Sequence, residues 1–280
     1  MYRDGIDFVV ISYSKQDFVR LCVESINKFI GDKKHTINIV VNYLDKGKEI
    51  DLHKNLFKDN PNVNIIEGID QSETTNVTQD GRFLQTKVWK GKIDGCEVAS
   101  GSKYAELGNN IGIKSGNRKY VCILDQDTII LNSCWDRLIE YAEKYFFISN
   151  RWDPGHIFAK CENPLPELGM ARAIFWFSKR SIFEDNDLYP TCDYRDAWGN
   201  ITYFAQQNNK EFLVLENSYR DRFRPDNGLW KKHSLNISHI YSEQAWIDGT
   251  PLVFHFGRGG YRIGNDLNEW IIETEKYLEI

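Results

Sequence analysis

Two aspartates separated by one residue, Asp125 and Asp127, directly follow an apolar run and could bind a metal ion. Side chains two positions apart in an extended segment point to the same side. The pair can therefore offer carboxylate oxygens to one divalent cation such as Mg²⁺ or Mn²⁺. The preceding run, residues 120–124, is typical of a buried strand. Because ligands of open α/β sheets bind beyond the carboxyl ends of the strands, the pair predicts a metal site.

The same spacing occurs a second time, in Asp185-Asn186-Asp187, where no apolar strand precedes it. That copy indicates a solvated loop. For Asp125 and Asp127 the alternative is a pair of turn-forming or helix-capping carboxylates. The strand before them favours the metal site.

The elements that would position this site begin with a strand, a helix and two more strands. Apolar runs predict strands at 8–11, 37–41 and 63–66, and a 3.6-residue period predicts a helix from Phe18 to Phe29, closed by Gly31. Ser14 and Asp17 form a possible capping box for that helix. This order predicts a right-handed βαβ unit and a parallel sheet, hence an α/β fold.

The rest of the chain gives a less regular pattern. The polar stretch 71–101 predicts a long loop or lid. A helix is expected at 104–115, ended by Gly116, with further strands at 173–177, 212–215 and 253–256 and a last amphipathic helix from Asp266. No linker or repeat is visible, so we expect a single domain with halves at about 1–135 and 136–265, followed by the helix at 266–280.

Composition excludes several classes of protein. The 280 residues are 41% hydrophobic and 27% charged, as in a globular protein, and the net charge of -5 argues against nucleic acid as a partner. The six cysteines are scattered singly and indicate core residues in a reducing compartment. No signal peptide or apolar run of about 18 residues is visible, so we expect a cytoplasmic protein without a transmembrane segment.

Residues 104–113 and 119–128 together resemble the central signature of glycosyltransferase family 2, in which an Asn-x-Gly helix segment leads into a strand and an Asp-x-Asp motif. Residues 9–14 resemble that family's first strand and nucleotide-contacting turn. The likeness covers about the first 130 residues, apart from 71–101. It implies a Rossmann-like GT-A fold with a mixed, mostly parallel sheet flanked by helices. It also implies metal-dependent transfer of a sugar (hexose or deoxyhexose) from a nucleoside-diphosphate sugar, usually with inversion.

The resemblance also implies roles for individual residues. The acceptor would be a glycan, lipid-linked or protein hydroxyl, as in polysaccharide biosynthesis, and Mn²⁺ or Mg²⁺ would neutralise the leaving diphosphate. His255, in a late His-Gly segment, is similar to the family's third metal ligand, and the adjoining Arg258 would add positive charge. The nucleotide-contacting positions are Ser12, Tyr13, Asn42 or Asp45, Asn109 and Asn110. Alternatively, His255 is a core residue, Ser12 caps a helix and the asparagines form a surface turn.

An inverting transfer needs a base for the acceptor hydroxyl, which the family places in an acidic motif after a strand of small residues. Residues 169–180 match that strand, but the family's Glu-Asp pair is missing from the segment that follows. We expect Asp196 to be the base, with Asp193 second, although either could be an N-cap or a salt-bridge partner. Trp176 and Trp198 could stack on a sugar ring.

Two other functions are compatible with the sequence. A catalytically silent GT-A-like protein that binds a nucleotide or sugar would also lack the Glu-Asp pair. A nucleotidyltransferase would share the Rossmann-like core, but residues 12–16 lack the Gly-rich, Arg-containing loop of those enzymes.

Overall fold

A computed structural model of the chain describes residues 1–13, 15–72, 100–153, 169–191, 197–220, 235, 242–257 and 265–280, and four short strands between 75 and 97. Within these residues the helices are α1 (Gln16–Phe29), α2 (Lys46–Leu56), α3 (Ser100–Ser115), α4 (Trp135–Lys144), α5 (Ser181–Glu184), α6 (Gly199–Gln207) and α7 (Asn265–Leu278). The strands are β1 (Arg3–Tyr13), β2 (His35–Tyr43), β3 (Val63–Asp70), β4 (Thr75–Val77), β5 (Phe83–Gln85), β6 (Lys92–Ile93), β7 (Cys96–Glu97), β8 (Arg118–Asp125), β9 (Thr128–Ile130), β10 (Ile148–Asp153), β11 (Met170–Lys179), β12 (Leu213–Val214), β13 (Glu216–Arg220), β14 (Ser242–Ile247) and β15 (Thr250–His255).

The central sheet has seven strands in the order β12-β10-β11-β8-β1-β2-β3. The four strands from β8 to β3 are mutually parallel, whereas β11 runs antiparallel to both β8 and β10. This is the predicted mixed, mostly parallel α/β sheet, and the prediction is confirmed. After β3 the chain crosses to the other side of β1 before it forms β8. The carboxyl ends of β1 and β8 therefore flank the point where strand order reverses, the usual place for a ligand.

The strands β1, β2 and β8 of this sheet have side chains buried on both faces. Phe8 and Val10 of β1 pack into one hydrophobic cluster with Cys122 and Leu124 of β8, while Val9 packs into the cluster on the other face. Strands covered on both sides have nearly continuous apolar sequences. This is why β1, β2 and β8 were visible as apolar runs.

A smaller antiparallel sheet, in the order β13-β14-β15-β9, lies beyond the end of β8. Its strand β9 begins three residues after Asp125, so the main chain passes from one sheet to the other through the Asp-x-Asp segment. The last helix, α7, packs against α1, where Arg20 forms an ion pair of 2.5 Å with Glu275. Among the described residues, no helix combines the length and the apolar character needed to cross a membrane.

The predicted helix limits agree with the structure at most ends. α1 ends before Gly31, which has a φ of +64°, and α3 ends before Gly116. The predicted capping box at the start of α1 is not formed as expected: the N-cap residue is Lys15, without a side-chain cap, and Ser14 lies outside the described residues. The described part of the 71–101 stretch contains two short hairpins, β4-β5 and β6-β7.

A buried ion pair ties the strands together at the opposite end of the central sheet. Arg180 is fully buried, and its Nη2 lies 2.7 Å from Oδ2 of Asp7, which also accepts a 2.7 Å hydrogen bond from the backbone N–H of Arg118. The Arg180 guanidinium donates further to the carbonyls of Arg118 and Ile113. One side chain thus joins β1, α3, β8 and the residue after β11.

Replacement of Arg180 by methionine is expected to destabilise the fold by about 3–5 kcal/mol, because the buried Asp7 would lose its closest cationic partner and keep only Arg118, whose Nε lies 3.9 Å away. Urea unfolding of Arg180→Met measures the change. Lys179→Met is the control, since that half-exposed lysine makes only a 3.6 Å contact with Glu143 and should cost about 1 kcal/mol or less. Equal losses of stability in the two variants would contradict the proposed importance of the buried pair.

Candidate metal and nucleotide site

Three predicted metal ligands converge at the carboxyl end of β8. Nε2 of His255 lies 3.2 Å from Oδ1 of Asp127 and 3.9 Å from Oδ2 of Asp125. One ligand atom from each of the three side chains lies within 4.8 Å of the other two. Residues separated by about 130 positions in sequence therefore face a common point.

Pairing between β9 and β15 creates this convergence. His255 is the register partner of Thr128, the residue after Asp127, and the backbone N–H of Phe256 donates a 2.9 Å hydrogen bond to the carbonyl of Asp127. The strand that carries the histidine is thus joined by main-chain hydrogen bonds to the segment that carries the aspartates. The position of His255 does not depend on a flexible loop.

The electrostatics of the three side chains suit a cation. Burial lowers the pKa of His255, but the charges of Asp127, Glu243 and Asp125 and the hydrogen bond to Asp127 together raise it to about 9. Burial raises the pKa of Asp125, an effect that His255 opposes and Asp127 reinforces. Half of the Asp125 side chain is exposed, so solvent screens this shift. When no metal is bound, a proton on His255 offsets the negative charge of the neighbouring carboxylates. A bound cation would neutralise the same charge.

The donor set fits a divalent cation, and Mn²⁺ more closely than Mg²⁺. Two carboxylates supply hard oxygen ligands, and an imidazole nitrogen is a good ligand for Mn²⁺ but a poor one for Mg²⁺. Asp127 and His255 are nearly buried, whereas half of the Asp125 side chain is exposed to solvent. By contrast, Asp185 and Asp187 are both exposed, as predicted for the second Asp-x-Asp copy.

Gln126, between the two aspartates, holds the end of β1. Its Oε1 accepts a 2.6 Å hydrogen bond from the backbone N–H of Tyr13, and its Nε2 donates a 3.3 Å hydrogen bond to the Tyr13 carbonyl. The side chain is buried and joins two strand ends that are 113 positions apart in sequence. The predicted nucleoside-contacting residue Tyr13 is thereby fixed to the metal-binding segment.

Gln126→Ala is expected to weaken binding of a nucleoside diphosphate by up to about 30-fold, because two neutral hydrogen bonds worth about 1 kcal/mol each would be lost from the end of β1. Isothermal titration calorimetry measures the affinity. Gln207→Ala, at an exposed position at the end of α6, should leave it unchanged. An unaltered affinity in Gln126→Ala would show that this pair of hydrogen bonds does not position the nucleotide site.

The other predicted nucleotide-contacting residues lie at the same edge of the sheet, but several are already hydrogen-bonded. The buried Ser12 hydroxyl donates to Nε2 of His53 at 2.7 Å, since the other ring nitrogen of His53 donates to the Glu49 carbonyl. Burial accordingly lowers the pKa of His53. The Ser12 side chain therefore faces α2, and a nucleotide could contact this residue only through its backbone.

Asn42 and Asp45, the two alternatives at the end of β2, differ in their surroundings. Asn42 is buried; its Oδ1 accepts a 2.9 Å hydrogen bond from the N–H of Ile69 and its Nδ2 donates to the Tyr104 carbonyl. Asp45 is exposed and caps α2 by accepting from the N–H of Lys48. Asn42 thus holds neighbouring elements together, and a contact of either residue with the nucleotide stays a prediction.

The asparagine pair lies on α3 against β1 and β2. Asn109 is buried, and its Oδ1 has no hydrogen-bond partner among the described residues; Asn110 donates to the Pro190 carbonyl at 3.0 Å. The neighbouring Gly112 lets α3 approach the sheet, because a Cβ there would overlap Val9. The Asn-x-Gly pattern therefore has a packing component.

Three predicted residues, Asp193, Asp196 and Arg258, lie outside the described residues. The interpretation of the two tryptophans was wrong: Trp176 and Trp198 are buried and stack on each other with ring centroids 4.4 Å apart, so neither offers a face to a sugar. Sequence reasoning also missed a group of buried charges behind the metal site, formed by Glu243, Arg151 and Asp153.

No protein-family model matches the chain, and no curated protein matches it. Among solved structures, similar folds include a mannosyltransferase from Pyrobaculum calidifontis in complex with GDP-Man and Mn²⁺, with a TM-score of 0.47, 13% identity and coverage of 76% of this chain and 55% of that one. Another is residues 1–349 of TarS from S. aureus, with a TM-score of 0.43, 11% identity and coverage of 75% and 58%. A third is 4-diphosphocytidyl-2C-methyl-D-erythritol synthase from Anaerococcus prevotii, with a TM-score of 0.42, 10% identity and coverage of 76% and 88%.

The matched region spans little more than half the length of the first two of these proteins. Glycosyltransferases are frequent among the similar structures, but at these TM-scores and identities the likeness alone does not assign a function. The arrangement of Asp125, Asp127 and His255 is the feature of this chain that bears on function.

Proposed function

We propose that this chain is a metal-dependent glycosyltransferase of the GT-A type, which transfers a sugar from a nucleoside-diphosphate sugar to a hydroxyl acceptor. The observation that supports this most directly is the convergence of Asp125, Asp127 and His255 beside the point where strand order reverses. A nucleotide bound at the ends of β1 and β2 would place its diphosphate near these three side chains. Family likeness in the same segments supports the same function.

Within this proposal, the nearly buried Asp127 and His255 bind a Mn²⁺ or Mg²⁺ ion, and the half-exposed Asp125 is the third protein ligand. The bound ion supplies positive charge to the diphosphate as it leaves the sugar. Tyr13 and Asn109 line the nucleoside site, and Arg258 adds charge near the diphosphate. Residues 1–135 form the nucleotide half and residues 136–265 the acceptor half.

Transfer also requires removal of the proton from the acceptor hydroxyl as its oxygen attacks the anomeric carbon. We assign this step to Asp196, with Asp193 as the alternative. Two described carboxylates lie behind Asp125, Asp127 and His255. These are Glu243 and Asp153, and each is paired with Arg151. The Arg151 guanidinium occupies both of these carboxylates, and this supports a base from the 193–196 segment.

A thermal-shift screen of UDP, GDP and dTDP, each with and without Mn²⁺, tests the proposed site. One diphosphate should raise the melting temperature only when Mn²⁺ is present. A ligand at a concentration of 100 times its dissociation constant adds about 2.7 kcal/mol to the free energy of unfolding. Absence of any metal-dependent shift would contradict the proposal. With the diphosphate identified, slow hydrolysis of its sugar conjugate without acceptor would distinguish an enzyme from a catalytically silent binding protein.

A further inference from the structure

A buried acid, Glu243, lies directly behind His255. The two residues are register partners on the neighbouring strands β14 and β15, so their side chains project from the same face of the small sheet. Oε2 of Glu243 lies 3.9 Å from Nδ1 of His255, while Nε2 of the same ring faces Asp127 at 3.2 Å. The imidazole therefore stands between a carboxylate at the back and the proposed metal ligands at the front.

Glu243 itself is held in place by two hydrogen bonds. Its Oε1 accepts from Nδ2 of Asn150 at 2.5 Å, and its Oε2 accepts from Nη1 of Arg151 at 2.7 Å. Arg151 is in turn fixed by Asp153, 3.1 Å from its Nε. All four side chains are buried, so the carboxylate behind His255 cannot rotate away without breaking the network.

Charge balance explains part of this arrangement, because Asp153 pairs with both Arg151 and Arg172, and Glu243 is the second acid beside the two arginines. Charge balance alone does not require that acid to lie next to His255. The Nδ1 atom of His255 has no hydrogen-bond partner among the described residues and has Glu243 as a near neighbour. Metal-binding histidines commonly donate their second N–H to a carboxylate, which fixes the ring and makes the ligating nitrogen more basic.

We propose that Glu243 is a positioning residue for the metal site, which orients His255 through Nδ1 so that Nε2 faces the cation held by Asp125 and Asp127. This inference rests on the proposed function, because it assumes that His255 is a metal ligand. A contraction of the 3.9 Å separation to hydrogen-bond distance would accompany metal binding. Asn150 and Arg151 would then act by keeping the Glu243 carboxylate directed at the ring.

A titration of the protein with Mn²⁺ in the absence of nucleotide tests the inference. The EPR signal of the free ion reports how much Mn²⁺ is bound. Glu243→Gln is expected to weaken Mn²⁺ binding about 10–100-fold. His255→Ala should weaken it at least as much, and the double variant should bind Mn²⁺ no more weakly than His255→Ala alone. That non-additivity is the signature of one residue that acts through the other. A purely structural role of Glu243 would instead give additive losses.

Two controls separate this effect from lost stability. Asp7→Asn removes a buried acid at the far end of the central sheet, and it should lower the melting temperature without a change in Mn²⁺ affinity. If Glu243→Gln does not fold, Glu243→Asp retains the charge at a greater distance from the ring and should lose affinity in the same direction. Wild-type Mn²⁺ affinity in a folded Glu243 variant, or additive losses in the double variant, would overturn the inference alone. Failure of the wild-type chain to bind Mn²⁺ would overturn the proposed function as well.

Discussion

Asp127→Asn is expected to abolish the effect of Mn²⁺ on nucleoside-diphosphate binding while leaving the fold intact. Asp127 is nearly buried, its carboxylate is the closest to His255, and its backbone carbonyl accepts from Phe256 whatever the side chain is. Asparagine preserves the shape but removes one of two negative charges from the proposed ligand set. We expect the Mn²⁺-dependent affinity to fall about 100-fold or more, which corresponds to about 2.7 kcal/mol.

The second Asp-x-Asp copy provides a matched control. Asp185 has the same spacing to a second aspartate but is exposed, and no histidine approaches it among the described residues. Calorimetric titration of the diphosphate with and without Mn²⁺ should therefore give wild-type values for Asp185→Asn. If Asp127→Asn retained wild-type metal-dependent affinity, Asp127 would not be a metal ligand and the proposed function would lose its main support.

The strands β1, β2 and β8 were predictable because they are buried on both faces. Residues 8–11 and 120–124 are continuous apolar runs, and Asn38 is the one polar residue in 37–41. An amphipathic helix or a half-exposed strand would instead alternate apolar and polar residues. The strand-helix-strand order predicted the parallel arrangement. The apolar strands and their parallel arrangement together predicted that Asp125 and Asp127 lie at the edge of the sheet.

Helix α2 illustrates a local element that the sequence pattern concealed. Its buried residues are Glu49 and His53, so it has no apolar stripe. The Glu49 carboxylate accepts a hydrogen bond from the backbone N–H of Leu44, which precedes the helix. His53 accepts a hydrogen bond from the Ser12 hydroxyl. Polar contacts with other elements thus define one face of α2, and hydrophobic periodicity cannot reveal such a face.

The geometry of the metal site depends on strand pairing that local sequence does not encode. β9 has three residues, and its pairing with β15 brings His255 to the aspartates. The resemblance named His255 as a candidate ligand, but only the register places it there. Glu243 was invisible for the same reason: residues 242–247 are all buried, and nothing in that short segment shows that its acid faces a histidine on the next strand.

Gln126 shows the same limit at the scale of one side chain. The two-residue spacing predicted that Asp125 and Asp127 are metal ligands and gave Gln126 no role. In the structure this amide pairs with both backbone groups of Tyr13, because β1 and β8 are adjacent parallel strands that end at the same edge. The residue between the two proposed ligands therefore connects the proposed metal and nucleoside parts of the site.

Replacement of Asp196 by asparagine is expected to reduce sugar transfer by about 10²–10⁴-fold, as for loss of a general base. Donor affinity should stay near the wild-type value, because the proposed metal and nucleoside contacts come from other residues. The fall should therefore appear in kcat, with little change in the dissociation constant of the donor. Single-turnover transfer and calorimetric titration of the nucleoside diphosphate measure the two quantities separately.

Asp193→Asn is the matched comparison, since it lies in the same acidic segment and differs from Asp196→Asn only in position. If Asp196 is the base, Asp193→Asn should lose less than about tenfold in turnover, which is below the contribution of a general base. A large loss in Asp193→Asn with normal turnover in Asp196→Asn would exchange their roles. Wild-type turnover in both variants would remove this segment from the proton transfer. Because the described acids Glu243 and Asp153 are paired with arginine, that result would favour a base supplied by the acceptor or by the residues outside the described ranges.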